Sequence, residues 1–145
     1  MKKTLIAAII FGSSFSLSAA PTDVNQKVLQ AFNKTFINVK DVKWSEYQNF
    51  YEVKFRQNEI LTRVTYDPDG RMISTLRYYN EEQLPMLVLA RVKERFSKQK
   101  VYGVTEESSE EGTYYHITLE DEKHWIAVKA NIYGDLSIEN KYRKG

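Results

Sequence analysis

The sequence of 145 residues contains no cysteine. This absence excludes disulfide bonds, thiolate nucleophiles and thiolate metal ligands together. The stability of the fold must therefore come from a hydrophobic core. A chain of this length with 42% hydrophobic and 13% aromatic residues can bury one such core, which indicates a single domain rather than a multidomain enzyme.

Long apolar runs are also scarce, because only residues 5–11 form a nearly unbroken one. Lys2 and Lys3 precede this run and small residues follow it to Ala20, which is the pattern of a secretory signal peptide. We expect cleavage after Ala20 or one or two residues earlier, leaving residues 21–145 as the domain. The run is too short to cross ~30 Å of hydrocarbon, and no cysteine follows to carry a lipid. The expected location is periplasmic or secreted, without membrane insertion after signal removal.

Neither sign of charge is in excess. The chain has 21 Lys and Arg against 19 Asp and Glu, and the two extra cations are Lys2 and Lys3 of the expected signal peptide, residues 1–20. Overall charge therefore gives no attraction to nucleic acid or to an anionic membrane. The Lys/Arg-Gly-Phe/Tyr signature of RNA-binding sheets is also absent, so we expect no nucleic-acid partner.

Two apolar stripes with a spacing of four residues indicate two amphipathic helices. Asp23 and Gln26 fit a capping box at the start of the first helix, and Pro85 suits the first turn of the second. The stripes recur sixty positions apart, as Val24, Val28, Phe32 and Phe36 and then as Leu84, Val88, Val92 and Phe96.

Segments that alternate with period two follow each stripe and predict β-strands. Val39 and Val42 match Val101 and Val104 with an offset of 62 residues, and later matches have an offset of 64. Turn-forming sequences at residues 67–70 and 131–134 separate the last two strands of each unit. The most regular segments span residues 50–56, 61–66, 71–79, 114–120, 125–130 and 133–142.

These patterns predict an α+β fold built as a tandem repeat, with units at about residues 22–79 and 82–142. Each unit is one helix followed by a four-stranded antiparallel meander. A single unit leaves one apolar sheet face and one apolar helix stripe, so two units should join into a continuous sheet. Both helices would then pack on one face of the sheet, and the other face would remain in water.

Several short motifs occur in a fixed order along the chain. They are Phe32-x-x-x-Phe36, Val42-x-Trp44, Tyr51-Glu52-Val53-x-Phe55, Val64-x-Tyr66-Asp67-x-Asp69-Gly70, Leu84-Pro85 and Tyr115-x-Ile117-x-Leu119. In this order they resemble the exported PepSY-like family, which is also described as β-lactamase-inhibitor-like. The resemblance covers essentially the whole chain after the expected signal peptide.

This resemblance implies the tandem helix-plus-sheet fold and a protein of bacterial cell envelopes, often from Bacteroidetes-type organisms. The comparison with inhibitors concerns the fold and its open sheet face, and related PepSY domains are proposed to restrain peptidases. The family carries no catalytic motif, so no catalytic residue is transferred. The sequence departs from the family pattern in its second unit, which has no tryptophan opposite Trp44 and has Asn131-x-x-Gly134 in place of the Asp-x-Asp-Gly turn.

Metal binding has two weak candidates in the sequence. Asp67 and Asp69 begin like a calcium loop, but the later ligand positions would be Arg71 and Tyr78, so a hairpin turn is the better interpretation. His116 and His124 would need a carboxylate such as Glu120 or Glu122 to hold a metal. We expect no metal and no cofactor.

Acid–base chemistry also lacks a complete motif. With Asp121 and Glu122 in the predicted turn, a His-carboxylate pair for acid–base chemistry can be drawn, but no serine nucleophile motif or oxyanion loop accompanies it. We expect a protein that is not an enzyme and has no catalytic residue. The acidic run at residues 106–112 is interpreted as a solvated, mobile hairpin loop, with a docking loop for a basic partner as the alternative.

The helix-free sheet face is the predicted binding surface. Aromatic and arginine side chains dominate protein-binding hot spots, although tyrosine, tryptophan, threonine and isoleucine are also simply good strand formers. The leading hypothesis is an exported protein-binding or inhibitor-like module whose partner is another envelope or secreted protein. The alternative is a small-ligand or glycan-binding sensor. The alternation assigns to this face Glu52, Thr65, Thr75 and Thr118, and as candidate partner-binding residues Lys54, Arg56, Arg63, Ile73, Arg77, Tyr79, Tyr114, His116, Trp125 and Lys129.

Overall fold

A computed structural model describes residues 24–145 of the chain. The expected signal peptide and Asp23 lie outside these residues. A short 3₁₀ turn, Glu81–Gln83, precedes the second helix. The helices and strands are, in chain order, α1 (Gln26–Thr35), β1 (Lys40–Glu46), β2 (Tyr51–Gln57), β3 (Ile60–Tyr66), β4 (Met72–Tyr79), α2 (Met86–Arg95), β5 (Lys100–Ser109), β6 (Gly112–Glu120), β7 (His124–Asn131) and β8 (Leu136–Arg143).

The eight strands form one antiparallel sheet in which the spatial order is the order along the chain, from β1 to β8. Every strand therefore pairs with its neighbours in sequence, and α2 is inserted between β4 and β5 at the centre. The six segments predicted from alternation all form strands. The largest difference is at β8, which begins at Leu136 rather than at residue 133, because residues 131–134 form the preceding turn.

Each helix begins where its sequence provides a start signal. Asn25 caps α1, because its side-chain oxygen accepts a hydrogen bond of 2.8 Å from the backbone N–H of Lys27. The predicted capping box from Asp23 is therefore wrong, since α1 begins at Gln26 and not at Val24. Pro85 stands directly before α2, where its missing N–H leaves no helical hydrogen bond unmade.

Two clusters of buried residues form the core. Both apolar stripes predicted from the sequence contribute to them, and only Phe36 is partly exposed. A fully buried valine, leucine or phenylalanine side chain stabilises a fold by about 1.5–3 kcal/mol, so these clusters provide most of the driving force. The first contains Val24, Val28, Phe32, Val53, Phe55, Val64 and Tyr66, and the second contains Leu84, Val88, Val92, Phe96, Val104, Tyr115, Ile117, Leu119, Ile126, Val128 and Ala130.

A glycine turn in each half lies directly under the helix of that half. Gly70 and Gly134 have φ angles of 82° and 80°, which favour glycine. A Cβ atom at Gly70 would stand 2.7 Å from the backbone oxygen of Lys27 in α1, and one at Gly134 would stand 2.8 Å from Cγ of Arg91 in α2. The absence of a side chain therefore permits the helix to approach the turn.

The first strands of the two halves, β1 and β5, match with a different offset from the predicted one. Trp44 is paired with Val53, whereas Val104 is paired with Ile117, the residue that matches Val53. Trp44 therefore corresponds to Val104, sixty positions on, and the predicted offset of 62 residues is wrong. The cause is an irregularity in each strand, between Lys40 and Lys43 and between residues 101 and 103, which interrupts the regular alternation.

The acidic run was expected to be a mobile loop, and this expectation is also wrong. Residues 106–109 belong to β5, and only Glu110 and Glu111 form the turn to β6. Glu106 is paired with Tyr115 and Glu107 with Tyr114 in the ladder between these strands. The β-propensity of the partner strand and the hydrogen bonds of the ladder outweigh the charge of the run.

Candidate binding face

The strand register divides the sheet residues between two faces, because directly opposed residues share a face. The core face carries the strand residues of the two buried clusters. The open face lies on the other side and is crossed by two rows of opposed residues. These rows are Lys43, Lys54, Arg63, Leu76, Glu107 and Tyr114, and Lys40, Arg56, Leu61, Tyr78, Thr105, His116 and Lys129.

Seven of the ten candidate residues lie on the open face. Six of them stand in the two rows, and Trp125 joins them because it is paired with Glu120, which shares a face with Thr118 and His116 by alternation. The seven are Lys54, Arg56, Arg63, Tyr114, His116, Trp125 and Lys129.

The predicted face is wrong for Arg77 and Tyr79, as it is for Thr75. Tyr79 packs against the second buried cluster, and Arg77 is paired with the core-face residue Thr62. The register shifts where β3 meets β4, so that Tyr66 is opposite Met72 while Thr65 is opposite Ser74. This bulge adds a residue to β4 and moves every later side chain to the other face. Ile73 is the extra residue of the bulge and is 42% exposed.

Arg77 and Tyr79 form a polar link between the two clusters on the core face. The guanidinium of Arg77 lies 3.2 Å from the carboxylate of Glu106, and the hydroxyl of Tyr79 donates a hydrogen bond to the same carboxylate. Burial, and then the hydrogen bond to Glu106, raises the pKa of Tyr79 far above its ordinary value. This partly exposed group joins β4 to β5 on the core face, away from the open face.

The open face of the second half is rich in aromatic side chains. The rings of Tyr102 and Trp125 meet edge to face with centroids 4.9 Å apart, and Nζ of Lys144 lies 4.3 Å from the Trp125 ring. At the other end of the same strands, Nζ of Lys129 lies 4.1 Å from the ring of Tyr114. Cations placed over aromatic faces hold these rings in defined orientations.

His116 lies between two carboxylates on this face. Its Nε2 atom is 2.9 Å from Glu107 and its Nδ1 atom is 3.4 Å from Glu139. Neither partner is Asp121 or Glu122. Asp121 instead lies 3.2 Å from Nδ1 of His124, so the His-carboxylate pair suggested by the sequence forms with His124 and not with His116. Within residues 24–145, no group of three histidine or acidic side chains is arranged to hold a metal ion.

Asp121 has a structural role in the turn between β6 and β7. The backbone N–H groups of Lys123 and His124 donate to its carboxylate, and the side chain of Gln99 donates to the other oxygen. These hydrogen bonds, led by that of Lys123, hold the pKa of Asp121 far below its ordinary value. The turn borders a hollow of about 610 Å³ lined by residues 98–100 and 120–124.

The open face of the first half is basic instead. Lys43, Lys54 and Arg63 stand directly opposite one another across β1, β2 and β3. The carboxylate of Glu52 lies 3.9 Å from Lys54 and 3.5 Å from Nε of Arg63. The open face thus changes from cationic side chains at β1 to aromatic and acidic side chains beyond β4.

Sequence reasoning missed several residues of this face. Tyr142 is opposite Trp125, but it follows the register shift at Glu139, so alternation counted from the core-packed Leu136 would have placed it on the core face. Lys43 was missed because β1 is irregular and gave no clear alternation. Tyr102 and Glu139 lie at register shifts in β5 and β8, where sequence alternation does not identify the face.

The arrangement of helices and strands is similar to that of solved structures from Bacteroides. A BLIP-like protein from Bacteroides fragilis is 21% identical, with a TM-score of 0.68 over 88% of this chain and 92% of that one. The fold is BLIP-like. A Bacteroides eggerthii protein described as periplasmic is 18% identical, with a TM-score of 0.65 over 83% of this chain and 88% of that one. A DUF2874 family protein from Bacteroides uniformis is 17% identical, with a TM-score of 0.64 over 86% of this chain and 90% of that one.

These similarities concern the fold. No protein-family model matches the sequence, and no curated protein matches it. Within residues 24–145, neither helix is long and apolar enough to cross a membrane.

Proposed function

We propose that this protein is an exported, non-enzymatic binding module whose open face engages another protein of the bacterial envelope in an inhibitor-like manner. The observation that carries the proposal is the aromatic surface of the second half, where Tyr102, Tyr114 and Trp125 are held by cations and by one another. Large, pre-ordered aromatic side chains lose little entropy on binding, which makes them effective contact residues.

We also infer that the chain is a tandem repeat, with both helices covering the core face, and that it is PepSY-like. The paired glycine turns support the repeat, because Gly70 meets residues 27 and 31 of α1 while Gly134 meets residues 87 and 91 of α2. Two glycines that are 64 residues apart in the chain therefore contact helix residues that are sixty apart. Coverage of the core face by helices leaves the open face available to a partner.

Export to the periplasm or beyond is part of the proposal. The apolar run at residues 5–11 with its preceding lysines supports a signal peptide. Fold similarity to a Bacteroides protein described as periplasmic is in agreement with this location.

A protein partner is favoured over a glycan by the state of the Trp125 ring. Sugar binding commonly uses a free aromatic face, but Nζ of Lys144 lies over Trp125 and is itself held by Glu120 at 2.8 Å. A protein surface with its own acidic groups can displace or pair with Lys144. The non-enzymatic assignment is supported by His116, which is engaged by Glu107 and Glu139 without a neighbouring nucleophile motif.

Site-specific photo-cross-linking tests the proposed function. A photoreactive phenylalanine analogue at Thr118, in the middle of the open face, should give a discrete cross-linked product in the cell envelope. The same analogue at Asn33, on the exposed side of α1, is the matched control and should not give this product.

The combined Tyr114→Ala and Trp125→Ala variant should lose the cross-link from Thr118, because the aromatic contacts are removed. Tyr133→Ala removes an exposed tyrosine outside the open face and should retain it. The proposal is contradicted if Thr118 gives no product, or if Asn33 gives the same product as Thr118.

A further inference from the structure

The basic half of the open face, Lys40, Lys43, Lys54, Arg56 and Arg63, has an unusual arrangement of like charges. Lys43 is directly opposite Lys54, which is directly opposite Arg63. Lys40 is likewise opposite Arg56. Like charges in directly opposed positions destabilise a sheet, so this arrangement is unfavourable without an anionic partner.

The protein's own acidic groups neutralise this basic half only in part. Among residues 24–145, the carboxylates of Asp41, Glu52 and Glu59 lie within 4 Å of its cations, so five cations face three carboxylates with a surplus of two positive charges. Lys43 makes no ion pair with any residue in the range 24–145. Among residues 24–145, the buried Nε of Arg63 has no hydrogen-bond partner, and the carboxylate of Glu52 lies 3.5 Å from it.

A hollow of about 620 Å³ lies at this part of the sheet. Lys43, Lys54 and Arg56 line it, and Asp41 is the single carboxylate of its lining. The remaining walls are apolar and come from Val39, Val42 and Leu61. The hollow therefore combines cationic side chains with apolar surface.

We propose that the basic half of the open face binds an extended, acidic segment of a partner polypeptide in which carboxylate and apolar side chains alternate. This inference rests on the proposed function, because it places the partner on the same face. The partner carboxylates pair with Lys54 and Arg56 along β2 and with the flanking Lys43 and Arg63, and its apolar side chains enter the hollow.

The spacing of the cations favours an extended peptide. Lys54 and Arg56 are two residues apart on β2, which separates them by roughly 6.4–6.8 Å, the repeat of alternate side chains in an extended chain. The apolar walls favour a polypeptide over an acidic polysaccharide or a lipid headgroup, since neither of these supplies apolar side chains between its charges.

Fluorescence anisotropy with a labelled peptide of alternating glutamate and valine tests this inference. The purified protein should bind the peptide, and the affinity should fall as salt concentration rises. Lys54→Glu combined with Arg63→Glu should raise the Kd about tenfold or more, because two attractive contacts become repulsive. Lys34→Glu combined with Lys98→Glu makes the same change of net charge outside the open face and should leave the Kd unchanged.

The milder Lys54→Gln and Arg63→Gln pair, checked by its urea unfolding midpoint, separates loss of binding from loss of folding. Equal binding of the glutamate peptide and its glutamine analogue would overturn the inference. So would stronger binding of heparin or of phosphatidylglycerol vesicles to the same lysine and arginine residues, since a polysaccharide or a membrane would then be the ligand. Retention of the Thr118 cross-link with failure of the peptide would overturn this inference alone and leave the proposed function intact.

Discussion

Asp67 in the first half and Asn131 in the second occupy the same place in their turns. Each side-chain oxygen accepts hydrogen bonds from the backbone N–H groups two and four residues later. The second side-chain atom differs, because Asp67 accepts from the Arg71 side chain while Asn131 donates to Asp135. In the second turn, which departs from the Asp-x-Asp-Gly pattern, the first residue is therefore the donor and its partner the acceptor, and the turn itself is retained.

The surface beside these turns differs more. Lys27 of α1 forms an ion pair of 2.9 Å with Asp69, whereas the second half has Leu87 and Tyr133 at the corresponding positions, 49% and 72% exposed. Exposed ion pairs contribute little stability, so this position can change without loss of the fold. The two halves show that the backbone turn and the glycine under the helix are the required features.

Among exchanges of residues between the two halves, those in the core should have the largest effect on the free energy of unfolding. Phe32 contacts the rings of Phe36, Trp44 and Phe55 at centroid distances of 5.2–5.5 Å, and its counterpart sixty positions on is Val92. Phe32→Val should lower the free energy of unfolding by about 2–3 kcal/mol, because it leaves a cavity and removes three aromatic contacts. Urea unfolding followed by circular dichroism measures this loss.

The reciprocal Val92→Phe variant is the control for this exchange. It should destabilise the protein by about 1–3 kcal/mol, since a ring at the buried Val92 would force closely packed neighbours apart. If either variant were as stable as the wild type, the two clusters would be interchangeable and the comparison would fail.

The glycine turns should respond unequally to alanine. Gly70→Ala should cost about 2 kcal/mol, because its Cβ meets a backbone oxygen that cannot move away. Gly134→Ala should cost about 1 kcal/mol, the penalty of the positive φ, since the flexible Arg91 side chain can move. Unfolding midpoints of the two variants in urea give the comparison directly, and a larger loss at Gly134 would refute it.

The smallest expected difference is in the response of the two turns to pH. The backbone N–H of Arg71, with that of Asp69 and the Arg71 guanidinium, holds the pKa of Asp67 below its ordinary value of 3.8. Asp67 thus contributes stability above this ordinary value, and the contribution disappears as pH falls through the lower pKa of the folded state. Asp67→Asn should therefore be less stable than the wild type at neutral pH, with a difference that shrinks below about pH 4.

Urea midpoints measured from neutral to acidic pH test this trend. Asn131→Asp is the reciprocal variant and should show the opposite one, because its new carboxylate would face Asp135 and lose stability as pH rises. A difference for Asp67→Asn that did not change with pH would remove charge as the cause.

Alternation and helical spacing predicted most of the fold, because residues such as Val28, Val53 and Ile117 are buried on regular elements. The errors on the open face occur where regularity is interrupted. A bulge shifts the alternation of a strand by one residue. Nothing in the sequence around Tyr66 and Met72 marks this bulge, so Arg77 and Tyr79 were assigned to the wrong face.

The row of opposed cations on the open face could not be predicted from the sequence for a related reason. Lys43, Lys54 and Arg63 come from three strands, and their alignment depends on the register of β1 with β2 and of β2 with β3. The aromatic part of the open face was easier to predict, since Tyr114 and Trp125 lie on regular strands that flank a short turn.

The order of strands in the sheet has a kinetic consequence. Every strand pairs with the one before it in the chain, so most contacts form between segments close in sequence. Folding rates rise as the average sequence separation of contacts falls, because less chain entropy is lost before each contact forms. A chain that enters a compartment from its N-terminus can add each strand to the preceding one as it emerges, and no early strand remains unpaired to aggregate while it waits for a distant partner.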